Sequence, residues 1–212
     1  MARHRILTTG AAAVLLLALG GCGSDTSDDG APSGDGGFDV SSATLTDQPF
    51  CDRVDMAMVA GVLGISTDKV RVQVDRAVGE EFEGPNEEGA PPKSVANLCV
   101  YGSGTSQFLV SVQPDATADD VQQSIDELTE LSGKGSFETC EPTDGSAFGD
   151  PAGAFSCKAS PPVKRQRVVV TGLVGDSKFY CAAIVNQGAE ADLASGTADA
   201  CRTTMEALAS GA

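Results

Sequence analysis

The cysteines constrain this chain more than any other feature of its sequence. One of the seven, Cys22, follows a short apolar stretch, and the other six are spread over the rest of the chain. An even number of cysteines in an exported protein indicates disulfide bonds rather than free thiols. The chain has no Cys-x-x-Cys pair, which disfavours a redox-active dithiol. The fold must therefore bring three pairs of distant segments together.

Six cysteines allow fifteen pairings, and the residues around them favour one of these. Cys181 lies in a predicted strand, and Cys201 lies on the core face of the helix that follows and packs back on that strand. Cys140 and Cys157 lie in two short predicted strands joined by a loop rich in Gly and Pro. Cys51, at the start of the first predicted helix, and Cys99 then form the remaining pair. We therefore predict the disulfides Cys51–Cys99, Cys140–Cys157 and Cys181–Cys201.

The first 21 residues have the three regions of a secretory signal peptide. Arg3 and Arg5 form a positive region, an apolar stretch at 6–19 follows, and Leu19-Gly20-Gly21-Cys22 resembles a bacterial lipobox. The apolar stretch is shorter than the ~20 residues that a transmembrane helix needs. We expect residues 1–21 to be removed and Cys22 to carry a lipid anchor at the extracytoplasmic face of the cell membrane. An ordinary cleaved signal peptide is the alternative.

Removal of this segment changes the chemistry available to the chain. The full sequence has 30 acidic and 14 basic residues, a net charge of −16, and one histidine, His4. Loss of Arg3 and Arg5 takes the net charge from −16 to −18, and loss of His4 leaves no histidine. This excludes Ser-His-Asp and Cys-His catalysis and histidine-based zinc sites. The acidity argues against nucleic-acid binding. We expect a protein that is not an enzyme and has no cofactor and no metal.

Composition divides the mature chain into a tether and one domain. Residues 23–37 consist almost entirely of Gly, Ser and Asp, which cannot form a core. We predict a flexible acidic tether over 22–44 and a single extracytoplasmic domain over 45–212. That length is sufficient for one sizeable core.

Hydrophobic periodicity predicts three helices and seven short strands within the domain. The helices are expected at 49–63, from a capping box at 117–120 to Gly133, and at 197–208. The pattern predicts an α+β fold, a mainly antiparallel sheet with about three helices packed on one face. The order hairpin, loop, helix occurs twice, which suggests a weak internal duplication. The strands are expected at 70–74, 95–101, 107–113, 136–140, 152–158, 167–174 and 178–185.

One basic cluster contrasts with the acidity of the chain. Lys158, Lys164, Arg165 and Arg167 lie within ten positions. Such a cluster is a candidate contact patch for lipid headgroups, anionic wall polymers or an acidic partner. The alternative, which we favour, is a charged loop or a strand edge that blocks pairing with other sheets.

Carboxylates are the remaining candidates for catalysis. Paired acids about 5–10 Å apart can hydrolyse glycosidic bonds. The acidic runs Glu80-Glu81 and Glu87-Glu88 lie in a loop rich in Gly and Pro, where solvated surface charge is the more common outcome.

Several short motifs resemble those of a known family. A Cys-led helix that ends in Leu63-Gly64, followed by a strand with Cys99 and Tyr101, resembles small lipoproteins of high-GC Gram-positive bacteria that carry a domain of unknown function. That family often has Trp where Tyr101 stands. The strand and helix that hold Cys181 and Cys201 are also similar to the extracellular sensor module of envelope receptor kinases. The resemblance implies a non-catalytic envelope protein and supplies no ligand.

These observations lead to one functional hypothesis and two alternatives. We expect a lipid-anchored binding or accessory protein of the cell envelope, with an envelope protein or a small apolar ligand as its partner. The alternatives are a carboxylate-based envelope hydrolase and a purely structural surface lipoprotein. An apolar pocket of about 300 Å³ or more would argue against the structural role.

Overall fold

The computed structural model of the protein describes residues 38–82, 91–130, 139–186 and 193–209. These residues form seven strands and three helices, the numbers that periodicity predicts, together with short 3₁₀ turns. The helices are α1 (Met56–Leu63), α2 (Ala118–Glu130) and α3 (Leu193–Ala209). The strands are β1 (Arg71–Arg76), β2 (Asn97–Ser103), β3 (Ser106–Gln113), β4 (Thr139–Thr143), β5 (Ala152–Lys158), β6 (Arg165–Val174) and β7 (Ser177–Asn186).

The strands form one antiparallel sheet in the order β1-β2-β3-β7-β6-β5-β4. Strands β1–β3 and β4–β7 are two consecutive meanders, and they join where β3 pairs with β7. At this junction Val110 lies opposite Cys181, which in turn lies opposite Val170 of β6. The antiparallel α+β fold that the sequence predicts is therefore present.

The helices lie on both faces of the sheet. Successive side chains of a strand point to opposite faces. On β6, Val168 and Val170 contact the larger core with α1 and α3, which we call the first face. Val169 contacts the smaller core with Leu128 of α2, which we call the second face. The prediction of all helices on one face is wrong, because the interior strands carry apolar residues toward both faces.

The folded domain includes residues that composition assigns to the tether. Phe38, Val40 and Ala43 pack against the first-face core. The Val40 carbonyl accepts a 3.1 Å hydrogen bond from the backbone N–H of Gly175. Gly175 has a φ of 57°, and a Cβ there would collide with the Ala43 carbonyl, so only glycine fits. Residues 38–44 are thus part of the domain and not of the tether.

Helix α1 is shorter than the predicted helix at 49–63. Cys51–Arg53 forms a 3₁₀ turn, Val54 is extended, and the Asp55 carboxylate accepts a 2.7 Å hydrogen bond from the backbone N–H of Ala57. Asp favours this capping position, so the α-helix begins only after Asp55. Gly64 ends the helix in the left-handed conformation, with its φ at 65°.

Three disulfides connect the elements. They join the 3₁₀ turn to β2, the edge strand β4 to β5, and β7 to α3, in the sequential pairing that the sequence favours. Such bridges are compatible with an oxidising, extracytoplasmic compartment. Among the residues that the structure describes, no helix combines the length and apolar character needed to span a membrane. The bridges are Cys51–Cys99, Cys140–Cys157 and Cys181–Cys201.

The repeated order of elements does not extend to their packing. The β2–β3 hairpin is followed by α2, and the β6–β7 hairpin is followed by α3. However, α2 packs on the second face and α3 on the first. The internal duplication therefore stays a prediction that rests on the order of elements alone.

Candidate functional site

A groove of about 510 Å³ runs between α1 and α3 on the outer side of the first-face core. Both helices contribute small or aliphatic side chains to its walls. No aromatic side chain is among the described residues that line it. The lining residues are Met58, Gly61, Val62, Gly64, Leu193, Gly196, Thr197, Asp199, Ala200 and Thr203.

Two exposed helix glycines line this groove without a side chain. Gly61 lies inside α1 and Gly196 inside α3, and a Cβ built on either residue would have no described atom within 4 Å. Glycine within a helix is about 0.5–1 kcal/mol less favourable than alanine. Neither glycine is required for packing between described elements, because neither faces a close neighbour. Their effect is to leave empty space along the groove at the expense of helix stability.

The groove is almost free of charge. Met58, Val62 and Leu193 form its aliphatic walls. Asp199 is the only charged residue in the described lining, and its carboxylate is exposed and lies 3.5 Å from the Arg202 guanidinium. Anionic and cationic groups therefore have no buried partner along the described walls.

One polar group is buried in the wall of the groove. Thr197 has no exposed surface, and its hydroxyl has no hydrogen-bond partner among the described residues. A buried hydroxyl without a partner is unfavourable by roughly 1–3 kcal/mol. The hydroxyl also has almost no accessible surface, so it lies behind the groove wall and not on it.

The two helices are held firmly against the sheet. In α3, the completely buried Cys201 is bonded to Cys181 on β7, and Met205 and Leu208 pack in the same core. In α1, Val59 and Leu63 are buried in that core. Both walls of the groove are therefore anchored in the core, which favours a preformed site.

The residues that carry the family resemblance have a structural role. Tyr101 is completely buried, and its hydroxyl donates a 2.9 Å hydrogen bond to the Cys51 carbonyl, beside the Cys51–Cys99 bridge. Burial, and secondarily the charges of Asp75 and Asp52, raise the pKa of the Tyr101 phenol. The phenol therefore stays protonated and holds the 3₁₀ turn on β2. The sulfur atoms near Asp75 are in a disulfide and are not available as thiolate ligands.

The four residues of the candidate basic patch do not share one surface. Cys157 lies opposite Arg167, so Arg167 and Arg165 point to the second face, whereas Lys158 points to the first. The Arg165 side chain donates a 2.9 Å hydrogen bond to Asn186, and Lys164 lies exposed in the β5–β6 turn. Lys164 fits the alternative of a charged loop, whereas the strand-edge form of that alternative does not apply to Arg165 and Arg167, because β6 is an interior strand and β4 forms the edge.

The carboxylates of the first acidic run have local structural contacts. Glu80 accepts a 2.9 Å hydrogen bond from the backbone N–H of Ala77, and Glu81 lies 3.8 Å from Lys93. The second run, Glu87-Glu88, lies outside the described residues.

A second groove, of about 560 Å³, brings three other carboxylates to one concave surface. Asp47, Asp115 and Asp176 line it together with Arg53. Asp176 already accepts a 3.2 Å hydrogen bond from the Ser177 hydroxyl. None of these residues belongs to an acidic run, so the sequence alone did not single them out.

The sequence also contains a Ser-x-x-Lys spacing, Ser66 to Lys69, which occurs in some acyl-transfer enzymes. The structure places it in an exposed 3₁₀ turn after α1. A nucleophile and base in such enzymes lie in a cleft that excludes water. These two residues are therefore on the surface and do not form an active site in this arrangement.

No family model and no curated protein matches the chain. The resemblance to envelope lipoproteins stays a prediction, and function has to be argued from geometry.

The groove residues were missed by periodicity, which treats α1 and α3 as core helices. The signal that could have found them is a glycine inside each helical pattern, since such a glycine often has a packing or functional reason.

Proposed function

We propose that this protein is a lipid-anchored, extracytoplasmic binding module whose α1–α3 groove holds a small apolar ligand. The observation that carries this proposal is a groove between two core-anchored helices, in which Asp199 is the one charged residue of the described lining and Gly61 and Gly196 contribute no side chain. Small-molecule sites are typically concave and largely apolar, with few polar groups that fix orientation. The groove has this composition, with the exposed Asp199 and Thr203 as the polar residues of its described lining that a ligand can reach.

The size of the groove argues against a purely structural spacer. Ligand sites in proteins have volumes of roughly 300–1,000 Å³, and the groove has about 510 Å³. A spacer needs no such cavity between two of its helices.

Anchoring by Cys22 places this module at the membrane. The lipobox-like Leu19–Cys22 and the Gly/Ser/Asp segment at 23–37 support this part of the proposal. Intact-mass analysis of the protein purified from its membrane is expected to show a diacylglycerol adduct on a chain that begins at Cys22. A mass that equals the bare polypeptide would contradict lipidation and leave the binding proposal in place.

Ligand binding is testable with a hydrocarbon dye. The mature chain with Cys22→Ser is titrated with 1,6-diphenyl-1,3,5-hexatriene, which fluoresces in apolar surroundings and not in water. We expect a saturable rise in fluorescence with one dye per protein. A response that is absent, or that grows linearly without saturation, would overturn the proposed function.

A carboxylate-based hydrolase is the second candidate. It is favoured only by the groove that contains Asp47, Asp115 and Asp176. This candidate requires that the protein hydrolyses an envelope glycan. Asp115→Asn and Asp176→Asn should each abolish that hydrolysis, and neither should change the dye titration. Without such turnover, the binding module is the better explanation.

A further inference from the structure

We propose that two copies of this chain pair through their second faces. In this pairing, α2 of each copy lies on the part of the other copy's sheet that its own α2 leaves uncovered. The pairing does not involve the α1–α3 groove, which lies on the first face. Three properties of the second face lead to it, namely its apolar surface, the separation of its charges and its size.

The apolar surface of the second face extends beyond the area that α2 covers. A row of six apolar residues crosses the sheet, each directly opposite the next on the neighbouring strand. Helix α2 contacts β5 and β6 and covers one half of this row through Leu128. The residues of the other half belong to neither of the two described cores. The covered half is Ala182, Val169 and Phe155, and the other half is Val74, Val100 and Leu109.

Two more aliphatic residues widen this uncovered half, by which we mean the second face of β1, β2 and β3 and the adjoining part of β7. Leu98 on β2 and Ile184 on β7 point to it and are half-buried, and neither belongs to a described core. Val100, at its centre, is 6% exposed, and Leu109 beside it is half-buried. A contiguous apolar surface of this kind, surrounded by polar residues, is typical of a protein–protein contact.

The charges on the strands of the uncovered half are basic. Arg71 and Arg76 of β1 lie opposite Gly102 and Leu98, so both point to the second face. The second-face residues of β2 and β3 include no Asp or Glu. The Arg76 guanidinium lies 4.2 Å from the ring centroid of Phe82, a contact that leaves its positive charge in place. The uncovered half therefore offers two cations beside an aliphatic surface.

The outer surface of α2 carries the opposite charge. Its exposed residues are acids and glutamines, whose long stems can cover aliphatic surface. Both signs of charge thus lie on one face of the chain, acidic over β5 and β6 and basic on β1. A face with this separation is complementary to a second copy of itself. The exposed α2 residues are Asp119, Gln122, Gln123, Asp126, Glu127 and Glu130.

A two-fold axis perpendicular to the sheet brings the complementary halves together. It places α2 of each copy on the uncovered half of the other, so the same contact forms twice. A helix with its side chains is about 10–12 Å wide, and three strands spaced by ~4.8 Å are about 14 Å wide, so one helix fits beside the resident α2. Strands of seven or eight residues are about 25 Å long. The four surfaces together bury on the order of 1,500 Å², which is the size of a stable interface.

The first test is the oligomeric state of the mature chain with Cys22→Ser, measured by sedimentation velocity. We expect a dimer at about 10 µM, since interfaces of this size bind in the micromolar range or more tightly. Arg71→Glu/Arg76→Glu and Asp126→Lys/Glu127→Lys each place like charges on both sides of the contact. Each variant alone is expected to raise the dimer dissociation constant at least about tenfold. A parent protein that stays monomeric at about 100 µM would overturn the proposal.

Mixing the two variants tests which surfaces meet. In the mixed dimer the new glutamates face the new lysines, and the unchanged arginines face the unchanged acids. We therefore expect an equimolar mixture to form a heterodimer with about the affinity of the parent. Two weakened variants that do not pair in the mixture, or variants that dimerise as the parent does, would refute contact between α2 and the uncovered half. Recovery in the mixture also shows that both variants are folded.

Lys158→Glu/Arg202→Glu is the control for net charge. It makes the same change in charge as the arginine variant, but Lys158 points to the first face and Arg202 lies on α3, which packs there. We expect this control to dimerise as the parent does. A loss as large as that of Arg71→Glu/Arg76→Glu would assign the effect to general repulsion and overturn the proposal. Dye binding in the α1–α3 groove is expected to be the same in all variants, so failure of the pairing leaves the proposed function untouched.

Discussion

The double variant Gly61→Leu/Gly196→Leu is expected to bind diphenylhexatriene at least about a hundredfold more weakly than the parent protein while it remains folded. Both side chains would extend into space in which no described atom lies within 4 Å of the new Cβ. They would therefore occupy the groove without displacing the core. A hundredfold loss corresponds to about 2.8 kcal/mol, which loss of most of an apolar site readily explains. Dye titration and urea unfolding of both proteins provide the measurement.

The free energy of unfolding of this filled variant is expected to stay equal or to rise, although its dye affinity falls. Leucine is a much better helix former than glycine, by about 0.5–1 kcal/mol at each position. The filled variant should therefore resist urea at least as well as the parent. Weak binding with undiminished stability would separate loss of the site from loss of the fold.

The matched control adds the same two side chains elsewhere on the same helices. Ala57 in α1 and Ala207 in α3 are exposed and do not line the groove. Ala57→Leu/Ala207→Leu is expected to bind the dye as the parent does. If both double variants bound equally well, the dye site would lie elsewhere and the proposed function would lose its main support.

The antiparallel sheet could be predicted from the sequence because its strands and turns leave local signals. In β3, Phe108, Val110 and Val112 recur at every second position, and all three are buried on the first face. The tight turns at Gly104 and Gly175 have positive φ values, as short hairpins require. Such patterns depend only on neighbouring residues.

The distribution of the helices was harder to predict because it depends on which faces are apolar across several strands. In β6, Val168, Val169 and Val170 are all 3% exposed or less. A continuous apolar run of this kind indicates a strand that is covered on both faces. The run was visible in the sequence, but it does not specify which helix covers the second face. That choice depends on the path of the chain after β3.

The groove could not be predicted because it is an unfilled space between two helices, and a residue pattern along one helix does not report such a space. Periodicity identifies Cys201, Met205 and Leu208 as the core side of α3, and these residues are buried. It carries no information on the adjoining side, where Gly196 and Thr197 meet α1. The relative position of two helices is set by tertiary contacts and by the disulfide that fixes α3. Only the unexpected glycine remains as a local signal.

The double variant Cys181→Ala/Cys201→Ala is expected to lose about 3–5 kcal/mol of unfolding free energy and much of its dye binding. The bridge closes a loop with a sequence separation of 20 and joins α3 to the centre of the sheet. Both cysteines are completely buried, so two alanines also leave a small cavity in the core. Since α3 forms one wall of the groove, an α3 that no longer has a fixed position binds the dye more weakly. The same loss of the bridge destabilises the fold.

Cys140→Ala/Cys157→Ala is the control for loop closure alone. That bridge has a similar separation of 17 and an expected contribution of about 3 kcal/mol, but it joins the edge strand β4 to β5, away from the groove. Urea unfolding is expected to show a large loss in both variants. Dye titration without urea, where circular dichroism shows both to be folded, is expected to show weakened binding only without the β7–α3 bridge. Equal dye affinity in the two variants would mean that α3 keeps its position without the disulfide, and that packing of Met205 and Leu208 suffices to shape the groove.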